Sequence, residues 1–213
     1  SRIVCYSAGM SFDSPDQIGG AWQRLGSRLV YEYTDPIALV ICGGSALNVL
    51  NVAHRTTKDV DVLAIVEETE SGVVLRPDKT LPDDFREVVA WVAQDLQLEE
   101  DWLNMGPKDV LAVYGAPEGM MKQWEVRDYG PSLKAFFISR LDQEHFKLLA
   151  AMDPKARARH LEDLVYRIKP SEEEVRAAVE WLLNRETSPQ FRNNMRTVVG
   201  ALDYDNISND IPE

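Results

Sequence analysis

Residues 37–66, IALVICGGSALNVLNVAHRTTKDVDVLAIV, constrain the fold of this chain more than any other stretch. Residues 37–42 are apolar and rich in β-branched side chains, which predicts a strand. Gly43 and Gly44 then predict a turn, and Ser45 is expected to be the N-cap of a helix over residues 46–52. A second strand is predicted over residues 60–66. The pattern therefore predicts a strand, a glycine turn, a helix and another strand in succession.

Two carboxylates stand at the entrance of the second predicted strand. Asp59 and Asp61 are two residues apart, so in a strand their side chains point to the same face. The repulsion between two such carboxylates is relieved by a divalent cation. Mg²⁺ is usually held by one or two carboxylates together with substrate phosphates, and Mn²⁺ also suits oxygen ligands. The sequence thus predicts a metal site at Asp59 and Asp61, next to a glycine turn whose backbone N–H groups can receive phosphates.

The order and spacing of these residues carry a family resemblance. Gly44-Ser45, a spacer and Asp59-Val60-Asp61-Val62 resemble the signature of the DNA polymerase β-like nucleotidyltransferase superfamily. More narrowly, Gly43-Gly44-Ser45-Ala46-Leu47 with Arg55, Thr57, Asp59 and Asp61 is similar to the pattern of AbiEii-type abortive-infection proteins and related toxin–antitoxin nucleotidyltransferases. The resemblance implies metal ligation by Asp59 and Asp61, and nucleotide contacts for Gly43, Gly44, Ser45, Arg55 and Thr57. Either half of the pattern alone is also common in ordinary turns and solvated strand ends.

A third carboxylate often accompanies the pair in polymerase β-like enzymes, on a neighbouring strand. Residues 124–127 and 133–139 predict two more strands joined by a turn. Glu125 is the candidate that this arrangement offers, with Asp128 as the reserve.

The second half of the resemblance lies in the helical C-terminal part. In the same toxin-like relatives, a lysine lies on a helix after the sheet and an aspartate lies on the next helix, and residues 144–150 and 159–164 match this in part. The match implies that Lys147 faces the triphosphate and that Asp163 orients the lysine or approaches the nucleotide. The alternative is that Lys147 extends along an amphipathic helix towards solvent while Asp163 pairs with Arg159 or Arg167.

Composition restricts the partners. The formal net charge of −12 argues against a surface devoted to nucleic-acid backbone, so extensive DNA binding is not expected. The two cysteines, Cys5 and Cys42, are far apart, and Cys42 in an apolar strand suggests a buried thiol and a cytoplasmic protein. No signal-peptide pattern opens the chain, and the longest apolar stretch is too short to cross a bilayer, so no membrane is expected. The histidines do not have the spacing of a zinc site.

Taken together, these patterns predict an α/β fold with a mixed sheet. Residues 1–140 would form a nucleotidyltransferase-like core, with helix beginning at about Ala21, residues 141–203 a helical part completing the cleft, and residues 204–213 a flexible acidic tail. The expected function is metal-dependent transfer of NMP from an NTP to a hydroxyl of a protein, a tRNA or a small molecule. The resemblance also admits a toxin-like role and an antitoxin protein as partner. The alternative is a noncatalytic nucleotidyltransferase-like module that binds a nucleotide or another protein.

Overall fold

A computed structural model describes residues 10–32, 35–54 and 56–212 of the chain. Its strands are β1 (Ile37–Cys42), β2 (Val60–Thr69), β3 (Gly72–Arg76), β4 (Leu103–Asn104), β5 (Glu125–Asp128) and β6 (Leu133–Phe137). Its α-helices are α1 (Pro15–Tyr31), α2 (Gly43–Val49), α3 (Asp83–Leu96), α4 (Lys108–Tyr114), α5 (Arg140–Ala150), α6 (Arg157–Glu162), α7 (Glu172–Leu183), α8 (Pro189–Gly200) and α9 (Asp205–Asp210). A 3₁₀ turn covers Met120–Lys122, and a π-helix covers Asp163–Ile168 directly after α6.

The six strands found within the described ranges form one mixed sheet in the order β3-β2-β1-β6-β5, with β4 paired to β2. β1 is antiparallel to β2 and parallel to β6, and β4 is parallel to β2. The mixed α/β fold predicted from the sequence is therefore confirmed. The predicted strand over residues 37–42 is found with the same limits, whereas β2 continues three residues beyond the predicted end at residue 66.

The chain divides into two compact units. The first comprises Ser1–Ala112 and Glu125–Phe137, and the second comprises Val113–Trp124 and Ile138–Glu213. The first unit holds the sheet and a core centred on Trp22, whose ring stacks on Tyr129 and meets the edges of Trp102 and Phe137. The second unit holds α5 to α9. The division lies near the predicted boundary at residue 140, but residues 113–124 belong to the helical unit.

Three local predictions are corrected. Helix α1 begins at Pro15 rather than near Ala21, because the hydroxyl of Ser14 caps it by accepting the N–H of Gln17 at 3.3 Å. The tail that was expected to be flexible contains α9, which buries Ile207. Asp210 of this helix also pairs with Arg176 at 3.1 Å, so both apolar and ionic contacts hold the end of the chain.

The third correction concerns the glycine turn. Helix α2 begins at Gly43 and ends at Val49, whereas Ser45 was predicted to cap a helix over residues 46–52. Cys42 occupies the N-cap position and supplies no side-chain cap. Ser45 lies within the first turn of the helix, where its buried hydroxyl approaches the carbonyl oxygen of Cys42 at 3.5 Å.

Candidate functional site

A one-residue irregularity between β1 and β2 determines what lies beside the glycine turn. Val40 pairs with Ala64, but Ile41 pairs with Val62, so Leu63 is an extra residue in β2. Such bulges re-aim side chains and are over-represented near active sites. Without it, Cys42 would face Val62. With it, Cys42 faces Asp61, and a carboxylate is brought to the point where β1 ends and α2 begins.

Gly43 and Asp61 are in close contact. Gly43 has a φ of +77°, a conformation that glycine adopts readily and L-residues rarely adopt. A β-carbon built on Gly43 would overlap Oδ2 of Asp61 and would lie 3.2 Å from its Cγ. Two predicted site residues, distant in the sequence, are thus adjacent because one of them has no side chain.

Asp59 and Thr57 form the entrance to β2. Asp59 is exposed, and Thr57 is buried, with its hydroxyl 3.2 Å from the carbonyl oxygen of Asp59 and 3.4 Å from its Oδ1. Thr57 is held by a two-way backbone bridge to Phe12, with N···O distances of 2.7 and 3.0 Å. The threonine therefore positions Asp59 in this structure. Arg55, which the sequence assigned to the nucleotide, lies outside the described residues.

On its other side, Asp61 has a neighbour that the sequence did not single out. The short strand β4 pairs with the start of β2, so that Val60 faces Leu103 and Asp61 faces Asn104. Val60 and Leu103 are buried, whereas Asp61 and Asn104 are half-buried on the opposite face. Two adjacent residues are too short a strand to give a periodic signal, which is why the sequence alone could not place Asn104 here.

The expected third carboxylate is not beside this pair. Glu125 lies on β5, which is separated from β2 by β6 and β1, so about 14 Å of sheet lies between them at the usual strand spacing. The Glu125 carboxylate instead pairs with Arg127. Asp128 is at the far end of the same strand, opposite Lys134. Across the described ranges, no group of three or more histidine, cysteine, aspartate or glutamate side chains is close enough to hold a metal ion.

In the second unit, Lys147 and Asp163 form a buried ion pair. The distance from Nζ of Lys147 to Oδ2 of Asp163 is 2.8 Å, and the two side chains are 9% and 0% exposed. Asp163 also accepts from Arg167, at 3.0 Å. Of the three partners considered for Asp163 from the sequence, Lys147 and Arg167 are bonded to it, and no ion pair with Arg159 is found among the described residues. The prediction that Lys147 reaches solvent along its helix is wrong, because its ammonium is turned inwards to the carboxylate.

Asp163 is also the first residue of the π-helix Asp163–Ile168. π-Helices are rare and are frequently found at functional sites, because the wider turn displaces the side chains that follow it. The sequence predicts one continuous helix over residues 156–168, and nothing in its apolar spacing signals the change of winding. The carboxylate that joins Lys147 and Arg167 thus sits where the helix geometry changes.

Helix α5 places several other polar side chains in the interior of the second unit. Burial raises the pKa of Asp142, although the Ser139 hydroxyl, 2.6 Å away, opposes the shift, and burial lowers the pKa of His145. Glu144 is 0% exposed, and neither of its carboxylate oxygens has a hydrogen-bond partner among the described residues. Burial raises the pKa of Glu144 to about 8, and the nearby charge of Glu174 adds to the shift. Glu144 is accordingly protonated at neutral pH.

Comparison of the chain with protein-family models, with curated proteins and with solved structures gave no match. Within the described ranges, none of the helices combines the length and the apolar character required to cross a membrane.

Proposed function

We propose that this chain is a metal-dependent nucleotidyltransferase that transfers NMP from an NTP to a hydroxyl acceptor. The observation that carries the proposal is the seating of the Asp61 carboxylate against Gly43, at the bulge that brings β2 to the glycine turn. It supports a site in which the metal ligand and the phosphate-binding backbone are immediate neighbours.

The donor set fits Mg²⁺ that arrives with a nucleotide. Asp59 and Asp61 offer hard oxygen ligands, and two carboxylates with substrate phosphates are the usual environment of this ion. Among the histidine, cysteine, aspartate and glutamate side chains of the described residues, none joins the two aspartates to make a group of three, so substrate phosphates would supply the remaining charged ligands. When bound there, the ion would neutralise phosphate charge and favour ionisation of the acceptor hydroxyl.

The residues then have distinct tasks. Backbone N–H groups of Gly44 and Ser45 bind the β- and γ-phosphates, and Thr57 keeps Asp59 oriented. The acceptor oxygen forms a bond to the α-phosphorus, while the bond from that phosphorus to the bridging oxygen breaks and pyrophosphate leaves with the electron pair. The hydroxyl proton passes to the carboxylate of Asp59, which is exposed to solvent, and from there to water.

Within the second unit, Asp163 fixes the position of the Lys147 ammonium through their 2.8 Å pair. The charge-neutralising contact of Lys147 with the triphosphate stays a prediction of the family resemblance. Arg167 donates a second bond to Asp163, at 3.0 Å, and helps to hold this carboxylate in place.

Calorimetric titration of ATP, GTP, CTP and UTP tests the proposal. We expect one NTP to bind in Mg²⁺, and we expect EDTA or the Asp61→Ala substitution to abolish that binding. Asp128→Ala is the matched control, because it removes an exposed strand carboxylate at the far end of the sheet and should leave binding unchanged. Binding that survives in Asp61→Ala would remove this carboxylate from the site.

A second candidate function is a noncatalytic module with the same fold elements. The position of Glu125 on β5, away from Asp59 and Asp61 and paired with Arg127, favours this alternative. Such a module would bind nucleotide or another protein without turnover. Release of pyrophosphate from the NTP that binds, measured over hours in the presence of candidate acceptors, separates the two. Tight binding of the NTP without release of pyrophosphate in the presence of any of the acceptors favours the noncatalytic module.

A further inference from the structure

A cleft of about 710 Å³ lies on the side of Asp61 away from the glycine turn. Asn104, which faces Asp61 across the β2–β4 pair, is one of its lining residues. Its volume falls within the range of ordinary ligand sites. Asp61 therefore lies between the glycine turn on one side and this cleft on the other.

This order matters for in-line phosphoryl chemistry. The attacking oxygen and the leaving pyrophosphate must stand on opposite sides of the α-phosphorus. If the glycine turn holds the β- and γ-phosphates, as the proposed function requires, the acceptor has to approach the α-phosphorus from the side away from that turn. The cleft beside Asn104 is on that side.

The cleft combines an apolar floor with an acidic rim. The side chains of Leu81, Val89 and Leu103, all buried, contribute to the floor. Glu99, Glu100 and Asp101 line the rim. One cation, Arg86, also borders the cleft, and its guanidinium is already paired with Asp83.

The rim is held in place by the residue that follows it. The Trp102 side chain is fully buried, and its indole N–H donates to the carbonyl oxygen of Val89 at 3.1 Å. The N–H of Trp102 also bonds to the carbonyl oxygen of Glu99 at 3.1 Å, which closes a turn around the acidic residues. The carboxylates are thus presented on an anchored loop.

These features select the chemistry of the occupant. An apolar floor with carboxylates above it suits lysine and arginine side chains, whose aliphatic stems pack on apolar surface while their charged ends meet the carboxylates. The same carboxylates repel the phosphates of a nucleic acid. A polyhydroxylated small molecule would leave the apolar floor without a matching surface.

We propose that the acceptor is a serine, threonine or tyrosine hydroxyl in a lysine- or arginine-rich segment of a protein, bound in the cleft beside Asn104. This inference rests on the proposed function and adds the substrate class to it. The basic side chains occupy the floor and rim, and the hydroxyl between them reaches past Asn104, at the edge of the cleft, towards Asp61 on the neighbouring strand.

The test measures peptide binding without nucleotide, so that it does not depend on the metal site. The probes are the fluorescein-labelled peptides RLRSLR and ELESLE and a single-stranded RNA hexamer, followed by fluorescence anisotropy at low salt. We expect only the basic peptide to bind wild-type protein. The double variant Glu100→Gln with Asp101→Asn should weaken that binding about tenfold, because two exposed rim charges are lost.

The matched control is Glu118→Gln with Glu173→Gln, which removes two exposed charges elsewhere and should change the affinity for the basic peptide less than twofold. Equal affinities in the two double variants, no binding of the basic peptide, or binding of RNA by the wild-type protein that the rim variant weakens would each overturn the proposal. Titration of Mg²⁺ and NTP into the same preparations keeps the two proposals apart. Peptide binding without nucleotide binding would refute the transferase, whereas nucleotide binding with no rim effect would refute only the acceptor class.

Discussion

The two units use aspartate in opposite ways. In the first unit, Asp59 is exposed, and no lysine or arginine within the described residues forms an ion pair with it. In the second unit, Asp163 is fully buried and is bonded to both Lys147 and Arg167. In the proposed function, the carboxylate that receives a ligand is the one near solvent, whereas the carboxylate that holds cations in position is enclosed with its partners. The contrast predicts different responses to substitution.

The largest effect on stability should come from Asp163→Ala. The substitution leaves Lys147 and Arg167 without their shared carboxylate, and breaking a buried pair in this way typically costs about 3–5 kcal/mol. Urea denaturation should show a lowered free energy of unfolding. Asp153→Ala, at an exposed turn, is the control, and a similar loss in both variants would contradict the structural role of the ion pair.

Glu144 provides the next largest effect, and it depends on pH. Its pKa is raised from 4.5 to about 8 by burial, so the folded state favours its protonated form and loses stability as pH rises through this window. Glu144→Gln cannot ionise. The free energy of unfolding of Glu144→Gln minus that of wild type should therefore increase as the pH rises from 4.5 to 8, by at most about 1.4 kcal/mol per pH unit.

The pH effect has a simple control. Glu173 is exposed on α7, so the difference between Glu173→Gln and wild type should stay nearly flat over the same pH range. Unfolding curves at several pH values distinguish the two variants. If the difference in free energy of unfolding between Glu144→Gln and wild type does not change with pH, the Glu144 carboxylate of the wild-type protein is not desolvated.

A smaller loss is expected from Gly43→Ala in the first unit. The alanine would hold an unfavourable positive φ and would overlap the Asp61 carboxylate, which together should cost about 1–3 kcal/mol. In the Asp61→Ala background, the overlap with Oδ2 is gone, so the same substitution should cost at least about 0.5 kcal/mol less. Gly20→Ala, where an added methyl meets nothing within 4 Å, should instead stabilise α1.

The smallest effect on stability should come from Asp59→Asn. Because Asp59 is exposed, the free energy of unfolding of the Asp59→Asn variant should stay within about 0.5 kcal/mol of the wild-type value. Metal-dependent NTP binding should nevertheless be lost. A destabilised Asp59→Asn variant would mean that this residue resembles Asp163, and the contrast between the units would fail.

Local pattern was sufficient for much of the fold. The β-branched run of β1, the capping box formed by Ser171 and Glu174 at the start of α7, and the turn between β5 and β6 all rest on interactions within a few residues. The start of α1 was placed too late because Gly19 and Gly20 weaken helical composition, although the Ser14 cap carries the decisive signal.

The site was harder to predict because its geometry depends on pairing between distant strands. Asp59 and Asp61 stood out by type and spacing. The bulge at Leu63, the placement of Asn104 and the position of β5 at the sheet edge depend on register, which the sequence does not display. Glu125 was expected beside the two aspartates for the same reason. The sequence shows locally that this segment forms a strand, but it does not show where that strand lies in the sheet.

The contact between Gly43 and Asp61 also restricts how this chain can change by mutation. A side chain at position 43 avoids overlap with the Asp61 carboxylate only if position 61 is made smaller at the same time, so loss of the carboxylate would remove one of the two constraints on the glycine. The positive φ would remain as the second constraint. Variation at these two positions should therefore be correlated, and glycine at 43 together with aspartate at 61 would serve as a paired marker for related chains that keep the proposed metal site.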